Sequence, residues 1–124
     1  MNDATLGPRS LPVDAHGFLR DPMRWNAQMA ADVAHQLGIG ELAVDHWRVI
    51  AHLRTGWLTE HRLPVQRLLC RDLALDDEAC VTSLFGGLVE AWKVSGLPDP
   101  GEEARVYMED MERADSITGE PPDA

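Results

Sequence analysis

The chain lacks any apolar run near the roughly 20 residues a membrane helix needs. Its N-terminus shows no basic flank and no apolar core of a signal peptide, so the cytoplasm is the expected compartment. Cysteine is scarce. Cys70 and Cys80 make no Cys-x-x-Cys pair and find no histidine or cysteine to complete a zinc set. Two buried free thiols are the plain expectation. Basic residues are few as well: 11 Lys and Arg stand against 21 Asp and Glu, a formal net charge of −10. That balance repels phosphate backbones, argues against nonspecific nucleic-acid binding and suits a basic partner. None of the five histidines forms an HExxH pattern, and His46 and His52 lie too far around a helix to share a metal easily. No metal site and no cofactor is expected.

What is present suits one compact domain: 124 residues, 44% of them apolar. The charge is unevenly spread. Residues 101–124 hold eight acids against Arg105 and Arg113. The chain divides into a flexible N-terminus (1–10), a folded domain (11–100) and an acidic extension (101–124), partly helical and then disordered from 115 onward.

Val13 to Leu19 reads as two short extended pieces around an Asp…Gly turn, a β-hairpin. Asp21-Pro22 opens a helix whose apolar face is Trp25, Met29, Val33 and Leu37, ended by Gly38. A longer helix is predicted from about Val44 to His61, with Trp47, Ile50, Ala51, Trp57 and Leu58 as its buried stripe, widened by Val49 and Leu53. Gly56 inside it suits close approach of another backbone. Pro64 starts a third helix, with Val65, Leu68, Leu69 and Leu73 on one side and Arg67 and Arg71 on the other. Asp76-Asp77 cap a fourth, bent at Gly86-Gly87. A fifth runs from Leu88 to Ser95 and stops at Gly96-Leu97-Pro98. Glu102 to Arg113 has helical spacing, with Ala104, Tyr107, Met108 and Met111 on one face and a Glu109–Arg113 pair. The predicted fold is mostly α (α+β): a small helical domain with an N-terminal hairpin and a helix-turn-helix-like element from the third and fourth helices.

Chemistry has few footholds. Cys80 falls in a first helical turn, which favours a thiolate, but Asp76, Asp77 and Glu78 oppose it. Packing explains Cys70. Trp25, Trp47, Trp57 and Trp92 at helical spacing read as core rather than as a stacking platform. Arg67 and Arg71 could hold an anion, although a solvated helix face is the simpler reading. A DNA-reading helix needs basic and amide side chains, whereas the fourth helix offers Asp77, Glu78, Thr82 and Ser83.

Six segments, in order, resemble the DsrC/TusE sulfur-relay proteins: Asp14-Ala15-His16-Gly17-Phe18-Leu19; Trp25-Asn26; Asp45-His46-Trp47-Arg48-Val49-Ile50 with Leu53-Arg54; Pro64-Val65-Gln66-Arg67-Leu68-Leu69; Leu84-Phe85-Gly86-Gly87; and Lys93-Val94-Ser95-Gly96-Leu97-Pro98. Each is weak alone; their joint order across residues 13 to 100 is specific. The resemblance implies a cytoplasmic protein with an N-terminal hairpin and a helical body. Family members carry sulfur as a persulfide on a cysteine in a flexible C-terminal arm. TusE-like members pass it toward thiolated uridine in tRNA. DsrC-like members add a second cysteine before the Gly-Leu-Pro and work with dissimilatory sulfite reductase.

This sequence departs at the tip. Trp92 stands where the second cysteine would be, and the arm-cysteine position falls near Glu103. Cys70 and Cys80 match neither. The loop between the third and fourth helices is shortened. Arg67 matches a family arginine with a structural or partner role. A relay needs a thiolate that can leave the body of the protein and enter a partner. The expected function is therefore an interaction or regulatory member with a protein partner in a sulfur-relay or sulfur-oxidation system. Arg67, Arg71, Tyr107, Met108 and Met111 are the candidate contact residues. The tail either folds against the groove an arm would use or docks on the partner. The alternatives are a sulfurtransferase using Cys80 or Cys70 and, more weakly, a DNA-binding regulator.

Overall fold

A computed structural model describes residues 12–116, with side chains as far as residue 110. The flexibility expected of 1–10 and the disorder expected of the last residues lie outside the described residues. Six helices follow one another: α1 (Ala27–Gln36), α2 (Val44–Glu60), α3 (Gln66–Asp72), α4 (Cys80–Phe85), α5 (Leu88–Val94) and α6 (Glu102–Ser116). No helix among the described residues is long and apolar enough to cross a membrane.

The expected hairpin is not formed, and no strand occurs among the described residues. Val13 and Leu19 meet in one isolated antiparallel bridge. The Asp14 carboxylate accepts the His16 and Phe18 N–H groups at 2.9 and 3.0 Å, and Gly17 turns with φ 91°. This side-chain turn closes so tightly that pairing stops after one step. Its product is Phe18, 1% exposed and fixed in the core.

Asp21-Pro22 does open a helix, but a 3-10 turn over Pro22–Arg24. Trp25 then adopts an extended backbone, and the Asn26 side chain caps α1 by accepting the Met29 N–H at 2.9 Å. Two helices thus stand where one was predicted. The deepest residues of α1 are Ala30 and Ala34, which lets α1 lie close on α5. Gly38 ends α1 with φ 78°, as predicted.

In α2 the buried stripe is rotated: His46, Val49, Ile50, Leu53 and Gly56 are buried, whereas Ala51 is exposed and Leu58 is 41% exposed. Gly56 has the predicted close neighbour. The chain folds back so that Arg62 N–H donates to Gly56 O, and a Cβ there would meet the Arg62 side chain at 3.7 Å.

α3 begins at Gln66, later than Pro64 suggested, so Val65 and Leu68 are half-exposed instead of buried. α3 and α4, the expected helix-turn-helix pair, touch each other across the connection 73–79. Gln66 is fully buried. Its Oε1 accepts the Thr82 N–H and hydroxyl at 2.8 and 3.2 Å, which satisfies the first turn of α4. Trp92 of α5 sits at the centre of the molecule. Its N–H donates to Pro98 O at 2.8 Å, and its ring meets Trp57 edge-on. The tail helix α6 runs on to Ser116, past the point where disorder was expected, and packs on α5 and α3.

Candidate functional site

The site is built at the end of α5, where the C-terminal segment leaves the body. Gly96 ends α5 with φ 69°. A Cβ added there would lie 2.0 Å from Trp25 Cδ1, so only glycine fits. Trp25 is held in turn: its indole N–H donates to Val94 O at 3.0 Å, and the Arg54 guanidinium lies 4.1 Å from its ring centroid. Arg54 also donates to Ser95 O at 2.8 Å and to Pro22 O at 3.1 Å. One cation thereby bridges carbonyls at two separate helix ends, that of Pro22 also accepting the Trp25 N–H at 3.4 Å. Burial pulls the Arg54 guanidinium below its ordinary range. Three of the segments that carried the family resemblance (Trp25, Arg54 and Ser95-Gly96) thus converge on one root.

Beyond this root Asp99-Pro100-Gly101 makes a turn. Asp99 Oδ1 accepts the Gly101 N–H at 2.9 Å and lies 3.3 Å from Arg105 Nε. The Arg105 contact is an ion pair rather than an aligned hydrogen bond, because its geometry leaves the buried Nε without a partner of hydrogen-bond quality. α6 then lays Met108 into the core at 0% exposure. Glu103, near which the resemblance puts the arm cysteine, is exposed in the first turn of this helix. Trp92, at the second cysteine position, is wholly buried. Tyr107 is 41% exposed; the Met111 side chain and the Glu109–Arg113 pair lie outside the described side chains.

The expectation of two free thiols is corrected. Cys70 and Cys80 form a disulfide, and there are no free cysteines among the described residues. The sulfurs are 1% and 3% exposed with their residues, and the Cys80 N–H points at Cys70 Sγ, 3.2 Å away. The bond ties α3 to the start of α4. Sequence spacing gave no sign of it, because the pairing depends on how two separate helices pack. Beside it a groove of about 780 Å3 is lined by Cys70, Arg67, Arg71 and Leu68 on α3 and by Asp76 and Glu78 on the connection. Both arginines are exposed, and neither lines the hollow beside the first turns of α6.

Asp77 shapes the rim. It accepts from the Ser83 hydroxyl at 2.5 Å and from the Ala79 N–H at 2.9 Å, and these bonds hold its carboxyl below the usual 3.8 against a small cost of burial. His46, missed as a structural residue, bridges α2 and α4: the Ala43 N–H donates to Nδ1, which leaves Nε2 to donate to Leu84 O at 2.9 Å. No group of three metal-ligating side chains occurs among the described residues.

A family model described as DsrC like protein matches residues 5–102. The match ends at the first residue of α6. The sulfurtransferase TusE of Salmonella typhimurium is 28% identical over 100 residues, covering 74% of this chain and 91% of that protein. Those of Pectobacterium atrosepticum and Escherichia coli K12 are 30% and 27% identical over the same shares. No solved structure matches the chain.

Proposed function

The chain belongs to the DsrC-like protein family, and from that premise we propose that it serves a sulfur relay by binding a protein partner, without loading sulfur itself. One observation carries this reading. The segment after Gly101 is a helix anchored by the buried Met108, and the resemblance puts the sulfur-bearing position near Glu103, in its first turn. A carboxylate accepts no sulfane sulfur, and a helix pinned to the body by a core methionine is not a free arm that enters another protein's site. The two sulfurs that remain are bonded to each other and buried. Arg67 and Arg71 on α3 and Tyr107 on α6 are the side chains this reading assigns to a partner. Met108 acts within the molecule and holds the helix that presents Tyr107.

The test is direct. Incubate the protein, with and without prior reduction, with a cysteine desulfurase and free cysteine, and weigh it intact. The mass should stay unchanged. A stoichiometric gain of one sulfur atom defeats the reading.

A second reading keeps sulfurtransferase chemistry on Cys70 or Cys80. One observation favours it: Cys70 borders the groove between Arg67 and Arg71, where cations would stabilise a thiolate once the disulfide is reduced. This reading requires rapid alkylation of the reduced, folded protein. Alkylation that appears only on unfolding removes it.

A further inference from the structure

We propose that the hollow between Leu63 and the first turns of α6 is a docking site for a lysine- or arginine-bearing segment of a partner protein that also offers one large apolar side chain. The proposal rests on the reading that α6 stands in for the sulfur-carrying arm, and it names the chemistry of the partner at that place. The hollow holds about 590 Å3 and lies past the Asp99-Pro100-Gly101 turn. Leu63, Pro100, Ala104 and Tyr107 form its walls, and Glu102 and Glu103 stand among them. Tyr107 leaves 41% of its surface in water, and its hydroxyl has no partner among the described residues. A rigid aromatic beside a concave apolar wall, with a free polar tip, is the type of side chain that anchors protein contacts.

Charge selects the occupant. Glu102 and Glu103 are exposed and pair with no cation among the described residues. Arg105, the cation of the same turn, is engaged by Asp99. Glu109 and Asp110, also exposed, extend the negative field along α6. The whole chain carries −10, so the far field attracts the same kind of partner that the hollow fits. An anionic ligand would meet repulsion at both ranges. A cationic head at the two glutamates with an apolar group on Tyr107 satisfies both features of the lining.

The experiment uses the full chain and a fluorescent amphipathic peptide of lysine and leucine, with its glutamate-for-lysine counterpart as control, read by anisotropy. The lysine peptide should bind and the glutamate peptide should not. Glu102→Gln with Glu103→Gln should weaken binding about tenfold, and Tyr107→Ser several-fold, as expected for anchor residues. Asp32→Asn with Glu41→Gln removes the same charge from the opposite end of the sequence and should cost less than about threefold, the scale of a screened distant charge. Circular dichroism verifies that each variant is folded. Equal losses in the two double variants, or no effect of Tyr107→Ser, overturn the proposal, because binding would then follow bulk charge alone. Sulfur loading is read separately by mass. A protein that loads sulfur and still binds the peptide through Glu102, Glu103 and Tyr107 refutes the non-carrier reading and leaves the docking site standing.

Discussion

The root at Gly96 and the helix that follows it are built on opposite principles. At the root, Trp25, Arg54 and Gly96 come from three distant parts of the chain, and Trp25 joins the other two: it abuts Gly96 and lies under the Arg54 guanidinium. Backbone carbonyls there have named donors. α6, by contrast, buries Met108 and is tied to the turn before it by the Asp99–Arg105 ion pair, and much of the surface of its described side chains is acidic and exposed. The family match covers the first region and ends where the second begins. The stiffest contacts thus fall within the segment that matches the family, and the acidic helix lies almost wholly beyond it.

The largest effect expected from testing that contrast is at the root. Gly96→Ala forces a Cβ into Trp25 at a left-handed backbone position and should cost about 3 kcal/mol or more of global stability in urea unfolding. Near wild-type stability would mean that Trp25 swings aside freely and that the root is no stiffer than the tail. Next comes Met108→Ala. A cavity of that kind costs about 2–5 kcal/mol, but here the loss should be local. The α6 amides should lose hydrogen-exchange protection while those of Gly96 and Leu97 keep theirs. Equal loss at both would merge the two regions into one cooperative unit and end the contrast.

The smallest effect is a pH effect on the N-terminal turn that leads toward the root. Burial slightly opposes ionisation of Asp14, but the N–H groups of Phe18 and His16 outweigh it, with His16 charge and the Gly17 N–H adding to them, so its carboxyl sits below 3.8. The turn's contribution is then complete above the unfolded value and disappears as pH falls through the folded one. Asp14→Asn should cost about 1 kcal/mol or less at neutral pH, and its gap from wild type should close in acid. A gap that stays open below the carboxylate range would assign the turn's stability to shape rather than charge.

Much of this was legible from residues alone. Helix positions followed apolar spacing and the punctuation of Gly38, Gly86 and Gly96. The resemblance, with Trp92 at one expected cysteine position and the other falling near Glu103, pointed to the C-terminal segment as the place to look. Other features were hidden for physical reasons. The Asp…Gly turn looked like a hairpin because alternation does not report that a carboxylate will take two N–H groups and close the turn early. The stripe of α2 was misplaced because apolarity ranked Trp47 and Leu58 above His46, whose two hydrogen bonds make it a core residue. Arg54 carried no structural role in the sequence reading, since its carbonyl partners lie far along the chain. The disulfide depends on how α3 and α4 pack, which no spacing rule encodes.

The Trp25–Gly96 contact also limits how this protein can change over generations. Any nucleotide substitution that alters the residue encoded at codon 96 installs a side chain where an indole already sits. Drift at that codon is confined to silent changes, whereas the exposed Glu102 and Glu103 downstream meet no such wall.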